Sequence, residues 1–425
     1  MSKIKIGLIG LGTVGGGVVK TLKNFSDIVE IVGIAVRNIN KKRNIEGLDE
    51  SILTDNPEEI VDNPQIDIVV EVMGGVNPAL SLIKKAINNG KHIVTANKEL
   101  LAKHGEELFH LAKEKNSVIL YEAAIAGGIP IIMPVKTILR ANKITKIDAI
   151  LNGTTNYILT KMDEDKASYE KVLKEAQELG YAEADPTGDV EGFDAAYKIV
   201  TLATIAFNKR IKIDGIYREG ITKISDRDIN FANEFGYKIK LIASAKLDEN
   251  GRADVRVHPM LIPKDHVLAK INNVTNAVML SGNPVGEIMF TGPGAGEMPT
   301  ASSVVGDILA LSSEVRRTAY PLPMMRCNHN AEAEKIEIGE TYNRYYISLQ
   351  TADTPGSIGV IGTICGNHKI NLSDILQKGS NPEEHSAEVV IITALSKESN
   401  VKEALKEMEN SQAIVKINNL IRVMN

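Results

Sequence analysis

Short apolar runs alternate with helix-period stretches over the first 135 residues. Ile4-Lys5-Ile6-Gly7-Leu8-Ile9 reads as a strand, and Thr13 to about Phe25 as a helix. Further strands are predicted at Ile31–Val36, Ile66–Val72, His92–Thr95 and Ser117–Tyr121. Helices are predicted at Ala79–Asn89, closed by Gly90, and at Leu100–Lys115. Strands that alternate with helices imply crossover units and a parallel sheet. The run Ile66–Val72, read as apolar throughout, suits a sheet covered on both faces.

The order then changes. Lys143–Leu151 reads as a strand, Tyr169–Leu179 as a helix ending at Gly180, and Asp194–Phe207 as a strongly apolar helix. Strands follow at Ile239–Ala245 and Ala253–Pro259, then a glycine-rich stretch at Thr291–Gly296 and a helix from about Thr300 to Leu311. Beyond Glu340 the pattern is strand, helix, strand, strand, helix, strand: Tyr345–Thr351, Ser357–Asn367, Ile370–Leu376, Ala387–Thr393, Val401–Glu409 and Ile414–Val423.

Composition narrows the classes. At roughly 150 residues per domain, 425 residues suggest about three domains. A net charge of −5 gives no bias toward nucleic acid or an anionic membrane. With 43% hydrophobic and 24% charged residues, the chain is too apolar for disorder. Two cysteines, Cys327 and Cys365, make no disulfide framework and fit a reducing compartment; each reads as a small buried apolar residue. No apolar run reaches about 18 residues, so no membrane span is expected. The first strand begins at Lys3, so no cleavable leader is expected either, and the predicted location is cytoplasmic. The eight histidines form no metal-ligand spacing with cysteine, which argues against a zinc site.

Gly10-Leu11-Gly12-Thr13-Val14-Gly15 fits G-x-G-x-x-G after a strand and before a helix, the context a dinucleotide site needs. Gly10 allows the tight turn, Gly12 the approach of a pyrophosphate, and Gly15 close helix–strand packing. Thr13 and Val14 open the helix whose N-terminus attracts the phosphates. At the end of the second strand, where an NAD site places an acid, stands Arg37. A guanidinium suits a 2′-phosphate, so NADP is expected, with NAD tolerated. Thr95-Ala96-Asn97-Lys98 follows a parallel strand, where ligand loops lie. Lys98 is either a solvated helix-start lysine or a side chain aimed at the nicotinamide end of the cleft. Asn152-Gly153-Thr154-Thr155-Asn156 either caps a helix, the commoner use of such residues, or holds a polar substrate. A second glycine-rich loop, ending in Gly294-Ala295-Gly296, either approaches cofactor or substrate or links domains.

The segment from Gly180 to Lys198 is the most informative. Glu183, Asp185, Asp189 and Glu191 precede Asp194 and Lys198, which lie four apart on one helix face. From Ala195 to Phe207 the only charge is Lys198. A helix apolar all round is buried, and a buried lysine needs a partner. Burial also lowers an ammonium pKa toward the range useful for proton transfer.

Together these motifs resemble the homoserine dehydrogenase family, in its longer bacterial form with a C-terminal ACT regulatory domain. Ala176 through Lys198 matches A-x(3)-G-Y-x-E-x-D-P-x(2)-D-V-x-G-x-D-x(3)-K, and Leu151–Leu159, Thr95–Lys98 and the Gly-Pro-Gly-Ala-Gly loop are similar to the family's text. The resemblance implies a Rossmann-type NAD(P)-binding domain over 1–135 (with the chain returning at 297–320), an α+β catalytic and dimerisation domain over 136–296, a connector over 321–342, and a separable βαββαβ ferredoxin-like ACT domain over 343–425. It implies reversible reduction of L-aspartate 4-semialdehyde to L-homoserine, a step in threonine, methionine and isoleucine biosynthesis. Lys198 becomes the proton group, Asp194 orients it, and Lys98 is a second candidate. Glu183 and Asp189 help hold the amino acid, with Gly180 and Thr154 beside them; Thr95, Lys98 and Gly296 join the cofactor site. A monovalent cation, usually sodium, maps onto Glu122 and the carbonyls of Ile125, Gly127 and Ile129, a hard-oxygen set. L-Threonine is the expected effector near Asp353, Gly356 and Asn371, and the assembly a homodimer or homotetramer.

Two other readings compete. A semialdehyde-oxidising NAD(P) enzyme usually needs a nucleophilic cysteine, and neither Cys327 nor Cys365 lies near a predicted site. A non-catalytic sensor of NADP and an amino acid would not need a proton donor in a dry helix.

Overall fold

The computed structural model describes residues 3–317, 327, 329, 331–381 and 386–424. Most of the predicted connector, including Pro321 and Pro323, lies outside the described residues, as does His385.

The first layer is a six-stranded sheet. Its elements are β1 (Ile4–Ile9), α1 (Thr13–Leu22), β2 (Val29–Ala35), β3 (Leu53–Thr54), α2 (Pro57–Asp62), β4 (Ile68–Glu71), α3 (Ala79–Asn88), β5 (His92–Thr95), α4 (Lys98–Glu114) and β6 (Ile119–Leu120). The order is β3-β2-β1-β4-β5-β6, and every pairing is parallel. Crossover helices cover both faces, so β4 is buried along its length. That strand is not apolar throughout, however. Asp67 just before it accepts from the Lys5 N–H at 2.8 Å, and its last residue, Glu71, is a fully buried carboxylate.

The chain then builds a mixed region: α5 (Ala123–Ala126), α6 (Ile132–Lys136), β7 (Lys143–Ile150), α7 (Gly153–Asp165), α8 (Tyr169–Glu178), α9 (Thr187–Val190), α10 (Phe193–Phe207), β8 (Tyr217–Arg218), α11 (Asp226–Glu234), β9 (Tyr237–Leu247), β10 (Ala253–Pro263), β11 (Thr275–Asn283) and β12 (Gly286–Pro293). Helix α12 (Glu297–Arg317) returns to the first layer and packs on α1 so closely that Gly17 faces the Glu297 carbonyl and the Ala301 methyl. The large core spans both regions. In it α10 buries Ile199, Val200, Leu202, Ala203 and Ile205, each of the larger side chains contributing about 1.5–3 kcal/mol.

The C-terminal elements are β13 (Tyr342–Ala352), α13 (Ser357–Asn367), β14 (Leu372–Asn381), β15 (Ser386–Thr393), β16 (Ser396–Lys397), α14 (Glu398–Glu409) and β17 (Ile414–Val423). Apart from the short β16 this is the βαββαβ order. The unit does not stand apart, though. β17 pairs in parallel with β10, joining two sheets into one of eleven strands: nine run in the order β12-β11-β7-β9-β10-β17-β13-β15-β14, with β8 beside β10 and β16 beside β13. The described part of the connector is docked as well, with bridges from Glu332 to Arg210 and from Lys335 to Ala253.

A buried polar cluster sits at this junction. The Arg422 guanidinium lies against both oxygens of Glu398 and donates to Glu219 at 3.2 Å and to the Tyr217 hydroxyl at 3.0 Å. Asp228 at the start of α11 accepts from the Tyr346 hydroxyl (3.0 Å) and the Asn419 amide (2.9 Å). Cys365 is buried, as expected. Cys327 is not a buried apolar residue: it is half-buried, with its thiol 2.9 Å from the Tyr121 hydroxyl and 3.3 Å from the Lys136 ammonium.

Candidate active site

The glycine-rich turn leaves β1 and enters α1. Gly10 has φ +104°, and a Cβ there would sit 2.9 Å from the Met73 nitrogen, so only glycine fits. A Cβ on Gly12 would meet nothing within 4 Å, which leaves its face open. No side chain caps α1, and its first turn carries no acid. Uncapped amides and the positive end of the helix dipole are what a pyrophosphate requires, so the residues present fit a dinucleotide. Thr13 and Arg37 are exposed and Val14 half-buried. Gly296, at φ +117°, is exposed just before α12. The rest of that second loop serves chain packing: a Cβ on Gly127 would lie 2.3 Å from the Gly294 oxygen, and Gly128 donates to the Pro293 carbonyl.

Lys98 begins α4 at the carboxyl end of β5, and Asp194 and Lys198 lie on α10. The structure brings all three together. The Lys198 Nζ is 2.6 Å from Asp194 Oδ2, and the Lys98 Nζ is 2.5 Å from Asp194 Oδ1. Lys198 is 8% exposed, whereas the Lys98 side chain is 42% exposed at the cleft edge. Lys198 also donates to the Leu151 carbonyl at 2.8 Å. An ammonium carries three N–H bonds, so two commitments leave one for a ligand.

The charges follow from this geometry. Burial works to raise the Asp194 carboxyl, but the ammonium groups of Lys198 and Lys98 outweigh it and hold it well below the usual carboxylate range. Burial lowers the Lys198 ammonium and the like charge of Lys98 adds to that, against the pull of Asp194. Asp194 holds the Lys98 ammonium above its ordinary value.

Asn152, between β7 and α7, ties the acids together. Its Oδ1 caps α7 by accepting from the Thr155 N–H at 2.8 Å. Its amide donates to Asp189 Oδ1 at 2.7 Å and to Asp194 Oδ2 at 3.1 Å. Thr154 donates to the Tyr181 carbonyl (2.7 Å) and reaches Asp189 Oδ2 at 3.1 Å. Burial, then the charge of Asp194, pushes the Asp189 carboxyl up. Capping and site-building are therefore both true of the Asn152–Thr155 motif. Glu183 is exposed at the rim, near enough for its charge to act on Lys98. Gly180 stops α8 in the left-handed region, its N–H donating to the Gln177 carbonyl.

Thr95 is buried beneath this cleft and donates to Glu71 Oε2 at 2.7 Å. Sequence reasoning passed over Glu71; the available signal was an acid ending a strand buried on both faces.

The turn after β6 carries Glu122, whose carboxylate accepts from the Ile131, Ile132 and Met133 N–H groups at 2.5, 2.7 and 2.8 Å. Asp307 of α12 accepts from the Glu122 N–H at 2.8 Å. Burial pushes both acids up, Asp307 the further. Ile125, Gly127 and Ile129 are buried around them, and the Gly127 carbonyl accepts from Ser303 at 2.7 Å. Adjacent buried acids among carbonyl oxygens are chemistry that a hard cation fits.

In the C-terminal unit Asp353 and Gly356 lie in the turn before α13, Gly356 at φ +98°, and Asn371 lies just before β14 with its carbonyl accepting from the Ala394 N–H. Among the described residues no helix is long and apolar enough to cross a membrane.

Comparison with known proteins converges on one family. The family model described as homoserine dehydrogenase matches residues 130–309, and the model for the homoserine dehydrogenase NAD-binding domain matches residues 10–122. The chain is 43% identical to a Synechocystis homoserine dehydrogenase, covering 99% of each, and 40% identical to that of Neisseria gonorrhoeae, covering 100% of this chain and 99% of the other. Among solved structures, a homoserine dehydrogenase from Thiobacillus denitrificans superposes with TM-score 0.94 at 38% identity, covering 100% of this chain and 99% of that one. A hyperthermophilic archaeal homoserine dehydrogenase in complex with NADPH gives TM-score 0.64 at 28% identity, covering 76% of this chain and 100% of its own.

Proposed function

Since the chain belongs to the homoserine dehydrogenase family and is an NAD(P)-dependent oxidoreductase acting on a CH–OH group, interconverting L-homoserine and L-aspartate 4-semialdehyde, we propose that Lys198 is its proton group. The observation that carries this is the single uncommitted N–H of a buried ammonium fixed by Asp194 and the Leu151 carbonyl.

The nicotinamide, when bound, supplies or accepts the hydride at the substrate carbon. Gly10, Gly12, Thr13, Val14 and Gly15 would hold its pyrophosphate, with Thr95, Lys98 and Gly296 along the cleft. In reduction, Lys198 gives its proton to the oxygen that gains negative charge as the aldehyde becomes the alcohol. In oxidation the neutral amine takes that proton back. Asp194 holds Lys198 in line and compensates its charge, and Lys98 closes the cleft from the other domain. Asp189, Glu183 and Thr154 bind the amino acid end of the substrate, with Gly180 setting the loop that carries Glu183. The exposed Arg37 favours a 2′-phosphate, and so NADP over NAD.

The finer parts of this reading concern assembly and control. Residues 1–135 with 297–320 bind cofactor, 136–296 carry catalysis and dimerisation, and 343–425 form an ACT-type module after the connector at 321–342. The βαββαβ order supports that module. L-Threonine binds it near Asp353, Gly356 and Asn371, and the protein works in the cytoplasm as a homodimer or homotetramer. A sodium ion at Glu122, Ile125, Gly127 and Ile129 is structural and takes no part in proton transfer.

One assay series tests these statements. Nicotinamide absorbance is followed with homoserine and with aspartate semialdehyde, with NADP and with NAD, with and without L-threonine, in sodium and in choline salts. Turnover of both substrates is expected, with NADP preferred and threonine inhibiting. A clear NAD preference sinks the role of Arg37, and indifference to threonine reduces the C-terminal module to a structural one.

A further inference from the structure

We propose that Glu71 is a positioning residue for this reaction, locking the loops after β4 and β5 together and thereby setting Lys98 against Asp194. This rests on the reading of Lys98, Asp194 and Lys198 given above.

Glu71 ends β4 and is 0% exposed. Its Oε1 accepts from the Met73 N–H at 2.9 Å and the Gly74 N–H at 3.1 Å, and its Oε2 from the Thr95 hydroxyl at 2.7 Å. The same hydroxyl oxygen accepts from the Asn97 N–H at 3.0 Å. The Asn97 amide donates back to the Gly75 carbonyl at 2.6 Å, while its Oδ1 caps α4 by accepting from the Leu100 N–H at 3.1 Å. The residue between that cap and the helix body is Lys98. Gly10 rests on the same loop, against Met73. Two segments therefore bond one carboxylate, and the glycine turn packs against the first of them.

A structural role alone does not explain an acid here. Burying a carboxylate among neutral donors is costly, and a valine would complete an apolar strand without that cost. What a carboxylate does, and valine does not, is accept from two loops at once. In open parallel sheets these loops, at the carboxyl ends of the strands, are where ligands bind. The group whose placement depends on them is the Lys98 ammonium, and the charged groups around Lys198 are Asp194 on its own helix, Lys98 from α4 and Asp189 from α9. Moving Lys98 away removes a positive charge that depresses the Lys198 pKa.

The test uses the full-length enzyme with Glu71→Gln and, as a second variant, Glu71→Asp, which keeps the charge but is too short to reach both loops. Displacing a positioned group by about 1 Å costs on the order of 10²-fold, so kcat for aspartate semialdehyde reduction is expected to fall 10- to 100-fold while KM changes little. The alkaline limb of the kcat profile, set by loss of the Lys198 proton, is expected to move to higher pH. Thermal unfolding is followed in parallel. Normal rates with an unmoved limb in both variants overturn the proposal, and so does a loss of rate that merely tracks the unfolded fraction. Lys198→Ala is the control: if it retains activity, the proton-group reading has failed; if it collapses while the Glu71 variants behave as wild type, only the role of Glu71 has failed.

Discussion

Lys98 and Lys198 hold the two oxygens of one carboxylate, Asp194, from opposite sides of the cleft between the nucleotide-binding layer and the catalytic region. One lysine is half-exposed and pushed up, the other buried and pulled down. Burial, not the shared acid, separates these two identical side chains: Asp194 favours the charged form of both, and desolvation outweighs it only at Lys198.

Lys198→Ala is expected to lower kcat by about 10²–10⁴, the usual worth of a positioned acid–base group. Lys98→Ala should cost less and act partly through the cofactor KM. Steady-state rates in both directions check this. Near-normal turnover in Lys198→Ala with collapse in Lys98→Ala would reverse the two assignments.

Glu398→Ala is expected to destabilise the protein by about 3 kcal/mol, because it removes the two-oxygen partner of the fully buried Arg422 guanidinium and leaves it only Glu219 and the Tyr217 hydroxyl. The exposed pair Lys23–Glu46 is the comparison, and Glu46→Ala should cost under about 1 kcal/mol. Denaturant unfolding of the two variants separates these values. Equal costs would mean that the junction is wetter than the geometry indicates.

Lys240 gives a pH signature. Its ammonium is buried and bonded only to neutral oxygens: the Asn156 and Asn272 amide oxygens, the Thr160 hydroxyl and the Ile271 carbonyl. Burial lowers its pKa to about 8. The unfolded chain therefore binds this proton more tightly than the folded one. Its destabilising contribution is fully present below pH 8 and is relieved as pH rises toward the unfolded value, a change of roughly 3 kcal/mol. The difference in unfolding free energy between wild type and Lys240→Met should vary between pH 7 and 10 in that direction. A difference that does not vary with pH would show that Lys240 titrates normally.

Gly17→Ala is expected to weaken the protein by about 1–3 kcal/mol and to loosen NADP binding. The added methyl would lie 2.7 Å from the Glu297 carbonyl oxygen and 2.8 Å from the Ala301 methyl, forcing α1 off α12. Isothermal titration with NADP and thermal unfolding read the two effects. Unchanged values for both would show that the helix contact yields freely.

Much of this molecule was legible in its residues, for stated reasons. The glycine fingerprint, the strand at His92–Thr95 and the dry helix carrying Lys198 follow from local periodicity and from the cost of burying charge. What escaped depends on distant partners. The β11–β12 hairpin was missed although Asn283-Pro284 marks its turn, because its outer strand alternates on an exposed edge and lacks a strong apolar run. Glu71 was absorbed into an apolar run because its three donors lie in segments that only the fold brings together. The C-terminal residues read as a separable unit because the strand order repeats a known module. Nothing in β17 itself announces that Arg422 and Val423 pair with Met260 and Leu261, more than 160 positions earlier.

That pairing has a practical consequence for anyone reshaping this enzyme. Removing the C-terminal unit would strip β17 from Met260 and Leu261 of β10 and leave backbone groups on that apolar edge without their partners. Such a border recruits other chains. A trimmed variant is therefore expected to clump before its kinetics can be judged, whereas point changes in the turn before α13 leave that border sealed.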